Sequence, residues 1–303
     1  LDGQNAVRAS LISQVASNYY TLLALDNKIT LIRKYIDLQR QAEKIAEIQK
    51  EADSDTELAV EKFKAELAKA RSQEFVLKQE ITECENALNL LLGRYPTPIQ
   101  REAKQLMNED VKTIVTGLPS NLLSHRPDIR QAEHELAAAH WDVETARKAF
   151  LPSVNISATL GLEAFNPTYL TRMPKSLAYS VVGGLTAPLI NRKAIEANFQ
   201  QADAAQLQAL YEYDKTLLTA YSEVCTLLSK NKNLAAYYAL KEEEVKTLEH
   251  SVEVSRQLYM NGRATYLDVL EAERDALDAQ MELLETRQQQ LSCVVDLYRS
   301  LGE

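Results

Sequence analysis

Hydrophobic positions along this chain fall into two kinds of pattern. Towards the C-terminus, Leu270, Leu277, Leu284, Leu291 and Tyr298 stand seven residues apart, with Leu267, Met281 and Val295 on the neighbouring seam. A seven-residue apolar repeat packs one helix lengthwise against another. Residues 192–259 contain no glycine or proline, which predicts one helix running roughly 100 Å at about 1.5 Å per residue. The interruption is Met260-Asn261-Gly262-Arg263, where Asn-Gly signals a turn. The pattern therefore predicts a long helical hairpin with its tip near Gly262.

The second pattern has a period of two. Val154, Ile156, Ala158, Leu160 and Leu162 alternate strictly with Ser153, Asn155, Ser157, Thr159 and Gly161, as in a strand with one apolar and one polar face. A second strand is predicted within 179–190, which is rich in Val and Gly and closes on Pro188-Leu189. The residues between, 163–177, carry Asn166-Pro167 and Pro174 and read as a loop. Ten alternating residues fit either a half-buried strand on a soluble sheet or a barrel strand crossing a membrane.

Proline placement divides the chain. All eight prolines lie between Pro96 and Pro188, and an interior proline kinks or ends a helix, so both flanks are free to be continuous helix. The N-terminal flank repeats the C-terminal one. Thr21-Leu22-Leu23 answers Thr226-Leu227-Leu228 at an offset of 205. Past an expected four-residue insertion near the tip the offset becomes 209, pairing Thr56, Leu58 and Val60 with Thr265, Leu267 and Val269, Cys84 with Cys293, and Leu92-Gly93 with Leu301-Gly302. Several matches in register point to duplication. The first tip is expected at Asp53-Ser54-Asp55.

Composition narrows the function. A mean hydropathy of -0.30 and the lack of an apolar run of about 18 residues give no transmembrane helix. The net charge of -9 offers no basic stripe for a nucleic acid. Cys84, Cys225 and Cys293 are too scattered for a disulfide framework or a metal site. His134 and His140 are six apart, on different helix faces, where a metal pair needs a spacing of four. Gly183-Gly184 sits inside a strand pattern and is no phosphate loop, and no nucleophile has a recognisable flank. The reading is therefore not an enzyme, with no cofactor and no metal. Glu242-Glu243-Glu244 and the group Glu271, Glu273, Arg274 and Asp275 read as solvated helix faces.

Four segments together resemble the outer-membrane efflux channel family, which holds the TolC-like and OprM-like proteins. Leu118-Pro119-Ser120, Leu122-Leu123, Arg126-Pro127-Asp128-Ile129-Arg130 and Ala132-Glu133 are similar to the family's LPxxLLxxRPDIxxAE segment. Ala149-Phe150-Leu151-Pro152-Ser153 resembles the approach to a barrel strand, and Ala187-Pro188-Leu189-Ile190 with Ala197-Asn198 the exit from one. Tyr259, Gly262 and the run Tyr266-Leu267-Asp268-Val269-Leu270-Glu271-Ala272-Glu273-Arg274 look like its YxxGxxxYLDVLDAQR tip. The lipoprotein branch serving resistance-nodulation-division pumps fits best.

The resemblance implies a mainly α fold: long antiparallel coiled-coil-like hairpins in two repeats, with a small β-hairpin contributing to an outer-membrane barrel. The expected segments are a first-repeat hairpin over 1–95, a linker over 96–124, a helix of the second repeat over 125–150, a strand pair over 151–190 and a second long hairpin over 191–303. On the family pattern a further strand pair and a lipidated cysteine precede the first hairpin, so the chain is expected to be the later part of a longer protein. The implied function is a passive conduit for exported small molecules in a tripartite efflux pump. It would be a homotrimer in outer-membrane lipid, reaching into the periplasm of a Gram-negative bacterium, with a periplasmic adaptor and an inner-membrane pump as partners. Tyr259, Arg263, Asp268 and Glu271 would gate the periplasmic tip. Asp53, Ser54, Asp55 and Thr56, with Asn261 and Gly262, would meet the adaptor. The alternative is that the chain is itself an adaptor-like helical-hairpin structural protein.

Overall fold

A computed structural model describes residues 2–51, 57–102, 105–108, 126–163, 166, 174, 177–187 and 191–302. The expected first tip at Asp53 to Thr56, most of the segment from 103 to 125 with the whole LPxxLL stretch Leu118 to Leu123, and Pro188 to Ile190 lie outside these residues. The described elements run α1 (Asp2–Glu51), α2 (Glu57–Leu91), α3 (Gln105–Asn108), α4 (Pro127–Lys148), β1 (Ser153–Leu162), β2 (Leu177–Thr186), α5 (Arg192–Met260) and α6 (Tyr266–Leu301). The described residues are mainly helical with one small antiparallel β-hairpin. It divides into two compact units, one of residues 1–127 with 219–303 and one of residues 128–218.

In the first unit α1 and α2 form one hairpin and the latter part of α5 forms another with α6. The repeat between them is more regular than the sequence match suggests. Equivalent contacts of the two hairpins stand 209 residues apart on both the outgoing and the return helices. The Cys84 thiol donates to the Asn18 carbonyl, and the Cys293 thiol to the Leu227 carbonyl, each across 66 residues. Buried pairs Leu22 and Asn231, Ile36 and Val245, and Ala46 and Ser255 keep the same offset. The insertion expected near the tip is therefore absent, and the match at 205 is a coincidence of leucines about one turn out of register. Four residues on a 3.6-residue helix change the face by only about 40°.

The seams explain the packing. Val60, Phe63, Leu67, Ala70, Leu77, Cys84 and Leu88 of α2 are buried at alternating steps of three and four with their multiples. So are Ala276, Ala279, Leu283, Thr286, Gln290, Cys293, Leu297 and Ser300 of α6, the spacing of coiled-coil seams. The leucine column picked out in the sequence is the adjacent one, and it faces the other hairpin. Leu277 joins Leu25, Ile32 and Leu67, Leu284 and Leu291 join Leu23 and Leu106, and Leu270 joins Ala46 and Phe63. α6 is thus packed on two sides. Its small and polar seam meets α5, where Ala279 and Leu283 touch Val245 and Leu297 touches Val224.

In the second unit α4 and the start of α5 flank the β-hairpin. β1 pairs with β2 from Ser153 opposite Thr186 to Leu162 opposite Leu177. The second strand begins two residues before the predicted start and ends at Thr186, where its partner runs out. Residues directly opposite one another share a face. Val154, Ile156, Ala158, Leu160 and Leu162 therefore lie with Leu185, Gly183, Val181, Tyr179 and Leu177. Ser153, Asn155, Ser157, Thr159 and Gly161 lie with Thr186, Gly184, Val182, Ser180 and Ala178. Nearly every residue of both strands is exposed.

Candidate functional site at the second hairpin tip

The tip is built by three local devices. Gly262 closes α5 at a φ of 67°, a left-handed conformation that side chains with a Cβ resist. The Gly262 N–H donates to the Tyr259 carbonyl and the Arg263 N–H to that of Leu258, each at 2.9 Å, which satisfies the last carbonyls of the helix. α6 then opens on a capping box. Thr265 accepts from the Asp268 N–H while the Asp268 carboxylate accepts from the Thr265 N–H at 2.7 Å and its hydroxyl at 2.6 Å. Those two bonds hold the Asp268 carboxyl below the ordinary aspartate range.

The four expected gate residues are not in one cluster within the chain. Arg263, Asp268 and Glu271 are exposed, as are Asn261 and Gly262, and the Asp268 carboxylate is bonded within its own turn. Tyr259 is half-buried. It lines a cavity of about 300 Å³ with Leu38, Ala42, Ile45 and Phe63 of the first hairpin and with Glu273.

Glu273 corrects the sequence reading, which took it for part of a solvated face. Its side chain is 3% exposed. The Arg256 Nε donates to it at 2.7 Å, a second guanidinium nitrogen also reaches it, and the fully buried Gln39 amide donates at 2.6 Å. One carboxylate thereby ties α5 and α6 to α1. Taking a carboxylate out of water is expensive unless it is paired and hydrogen-bonded, and here it is both. Tyr35 stands beside it, its hydroxyl directed to Glu66, and burial first and the neighbouring carboxylates second raise its pKa. In the first hairpin the equivalent positions are Glu47 and Lys64, 3.9 Å apart, the same pair with its charges exchanged. The clue in the sequence was this reciprocal exchange at an offset of 209, visible only once the register is known.

The Arg126-Pro127-Asp128 motif also has a clear local role. Arg126 is 8% exposed. Its guanidinium donates to the Ser300 carbonyl at 3.0 Å and to Glu223 at 2.9 Å, and Arg299 shares Glu223 at 2.8 Å. It thus satisfies a carbonyl of the last turn of α6 that has no partner within the helix and pins that end to α5. Pro127 is the first residue of α4, where its fixed φ suits a helix start. Asp128 follows in the first turn and accepts from the Ile129 N–H at 2.9 Å.

Residues 118–303 match the model of the family described as outer membrane efflux protein. The chain is 27% identical over 301 residues to the cation efflux system protein CusC of Escherichia coli O6:H1, covering 99% of this chain and 65% of that protein. It is 31% identical over 296 residues to the pyoverdine export outer membrane protein OpmQ of Pseudomonas aeruginosa, covering 98% and 62%. The chain therefore spans a little under two thirds of the curated relatives it matches. A solved structure of CusC superposes with a TM-score of 0.91 at 26% identity, over 99% of this chain and 70% of that one. A structure of the outer-membrane channel OprN gives 0.90 at 24% identity, over 99% and 68%, a likeness of fold alone. These matches leave no place for the adaptor alternative. By its motifs, its duplicated hairpins and the match over residues 118–303, the chain belongs to the outer membrane efflux protein family.

Proposed function

We propose that this chain supplies wall and membrane segments of a channel through which small molecules leave the cell, with no covalent chemistry along the way. The observation that carries this is the β-hairpin. Ten paired positions place one apolar and one largely polar face back to back with neither covered, and an exposed apolar face of that kind needs lipid or protein to cover it. In a closed barrel the apolar face would meet acyl chains and the polar face would keep the bore wet. An open edge cannot persist in lipid, so the hairpin would require partner strands. A homotrimer in the outer membrane of a Gram-negative bacterium, extending into the periplasm, supplies them. No helix among the described residues is long and apolar enough to cross a membrane.

The second hairpin tip serves in this reading as the gate and, with the first tip, as the meeting place for a periplasmic adaptor and an inner-membrane pump. Around a threefold axis Tyr259, Arg263, Asp268 and Glu271 would form rings, and rings of carboxylates attract cations. Single-channel conductance of the full-length protein in a planar bilayer tests both levels. No conductance refutes the channel. Asp268→Asn with Tyr259→Phe is expected to raise conductance while the amide keeps the capping bonds; unchanged conductance leaves Asp268 as a helix cap only.

A further inference from the structure

The foot of the β-hairpin carries a charge pattern that helix physics does not explain. Arg147 and Lys148 end α4, where cations complement the negative end of the helix dipole. Arg192 and Lys193 open α5, where cations oppose the positive end, and the first turn contains no acidic residue to offset them. All four are exposed. The two pairs are brought together within one unit, because the Phe150 and Phe199 rings meet edge-on at 6.2 Å and Ser153 faces Thr186 at the base of the ribbon. Arg192 lies seven residues before Phe199, about 10 Å along α5 at about 1.5 Å of rise per residue. The four charges therefore form two tiers below the apolar face. Nearby carboxylates temper them only in part. Arg147 shares Glu144 at 2.9 Å, and Glu196 lies one turn after Arg192. Beside the lower tier Leu151 is 63% exposed.

From this arrangement we infer that Arg147, Lys148, Arg192 and Lys193 form a collar that binds the anionic headgroups of phospholipids in the periplasmic leaflet. The inference rests on the membrane assignment of the β-hairpin. Two features favour a lipid surface over other anions. The collar is continuous with the lipid-facing residues Val154 and Leu185, and its long side chains can lie along apolar surface while their charges reach phosphate. Each basic side chain beside an anionic membrane strengthens attachment about fivefold, and the gain is screened by salt.

The full-length protein is reconstituted into vesicles of phosphatidylcholine alone and of phosphatidylcholine with phosphatidylglycerol, and the inserted fraction is measured by flotation. The parent is expected to favour the anionic vesicles at least tenfold, less so in high salt. Arg192→Gln with Lys193→Gln, and the variant neutral at all four positions, should insert into phosphatidylcholine as the parent does and lose most of that preference. The double variant removes charges unfavourable to its helix, so a loss of fold does not account for the result. Arg147→Lys with Arg192→Lys should retain the preference. A neutral variant with the full preference of the parent overturns the collar and leaves the channel standing. Failure of the parent to enter either vesicle refutes the membrane assignment and the collar with it.

Discussion

Glu273 shows how one side chain can serve three helices. Its carboxylate is shared between Arg256 and Gln39, and the Gln39 Oε1 is already buried without a partner. Removing the carboxylate would strand a second buried amide atom and the inner part of a guanidinium. Glu273→Ala is expected to destabilise the fold by about 2–3 kcal/mol, below the usual cost of breaking a buried pair because Arg256 is partly solvated. Urea unfolding of the parent, both single variants and the Glu273→Ala/Arg256→Ala double variant gives the coupling; additive losses would mean the pair is not coupled. The cysteines make a separate prediction. Cys84 and Cys293 are buried, each thiol is directed at a carbonyl across the hairpin, and burial raises the pKa of both. A thiol above its ordinary pKa holds even less reactive thiolate at neutral pH. Alkylation of the native protein is therefore expected to mark Cys225, which is half-buried, and to reach the other two only in denaturant. Rapid native labelling at Cys84 or Cys293 would contradict the hydrogen-bonded seam.

At the scale of elements, α6 owes its position to two columns of residues one step apart. The column 276, 279, 283, 286, 290, 293, 297 and 300 is small or polar at most positions, so a search for large apolar residues passes over it and finds the leucines beside it. The small and polar column faces α5, and the leucines face α1 and α2. Opposite substitutions separate the roles. Ala279→Leu adds bulk where Val245 and Leu283 close in and should cost about 1–3 kcal/mol by overpacking. Leu297→Ala empties a fully buried position beside Val224 and should cost about 2–5 kcal/mol. Thermal and denaturant unfolding would measure both, and a neutral Ala279→Leu would show that the α5 side has room to spare. The same logic accounts for what was legible in the sequence. β1 appears over Ser153–Leu162 as its period of two requires, since a one-residue slip reverses every side chain. The second tip was legible through Asn261-Gly262, because a left-handed residue is written as glycine. The repeat register was not, since a shift of four residues barely turns a helix. Burial of Glu273 was hidden among acidic neighbours, one of which is a cap and others solvated.

For the whole molecule the decisive question is which face of the ribbon meets lipid. Ile156 is opposite Gly183 near the middle of the pairing and is 74% exposed. Ser157, the next residue, points to the other face opposite Val182. An arginine on the lipid face of a barrel costs about 2–4 kcal/mol near the bilayer midplane, whereas lumen substitutions are tolerated and tune selectivity. Ile156→Arg in the full-length protein should therefore sharply reduce assembly into outer-membrane vesicles, and Ser157→Arg should assemble normally. The comparison has an internal control: both arginines sit on one strand at nearly the same depth, beside the same hairpin partner, and differ only in the side from which they project. Impaired folding of the strand itself would affect both. If Ser157→Arg fails and Ile156→Arg assembles, the facing is reversed: the apolar face is not buried in lipid, and the polar face does not line the bore. If both assemble equally well, the ribbon does not cross the membrane at this depth and the barrel assignment falls.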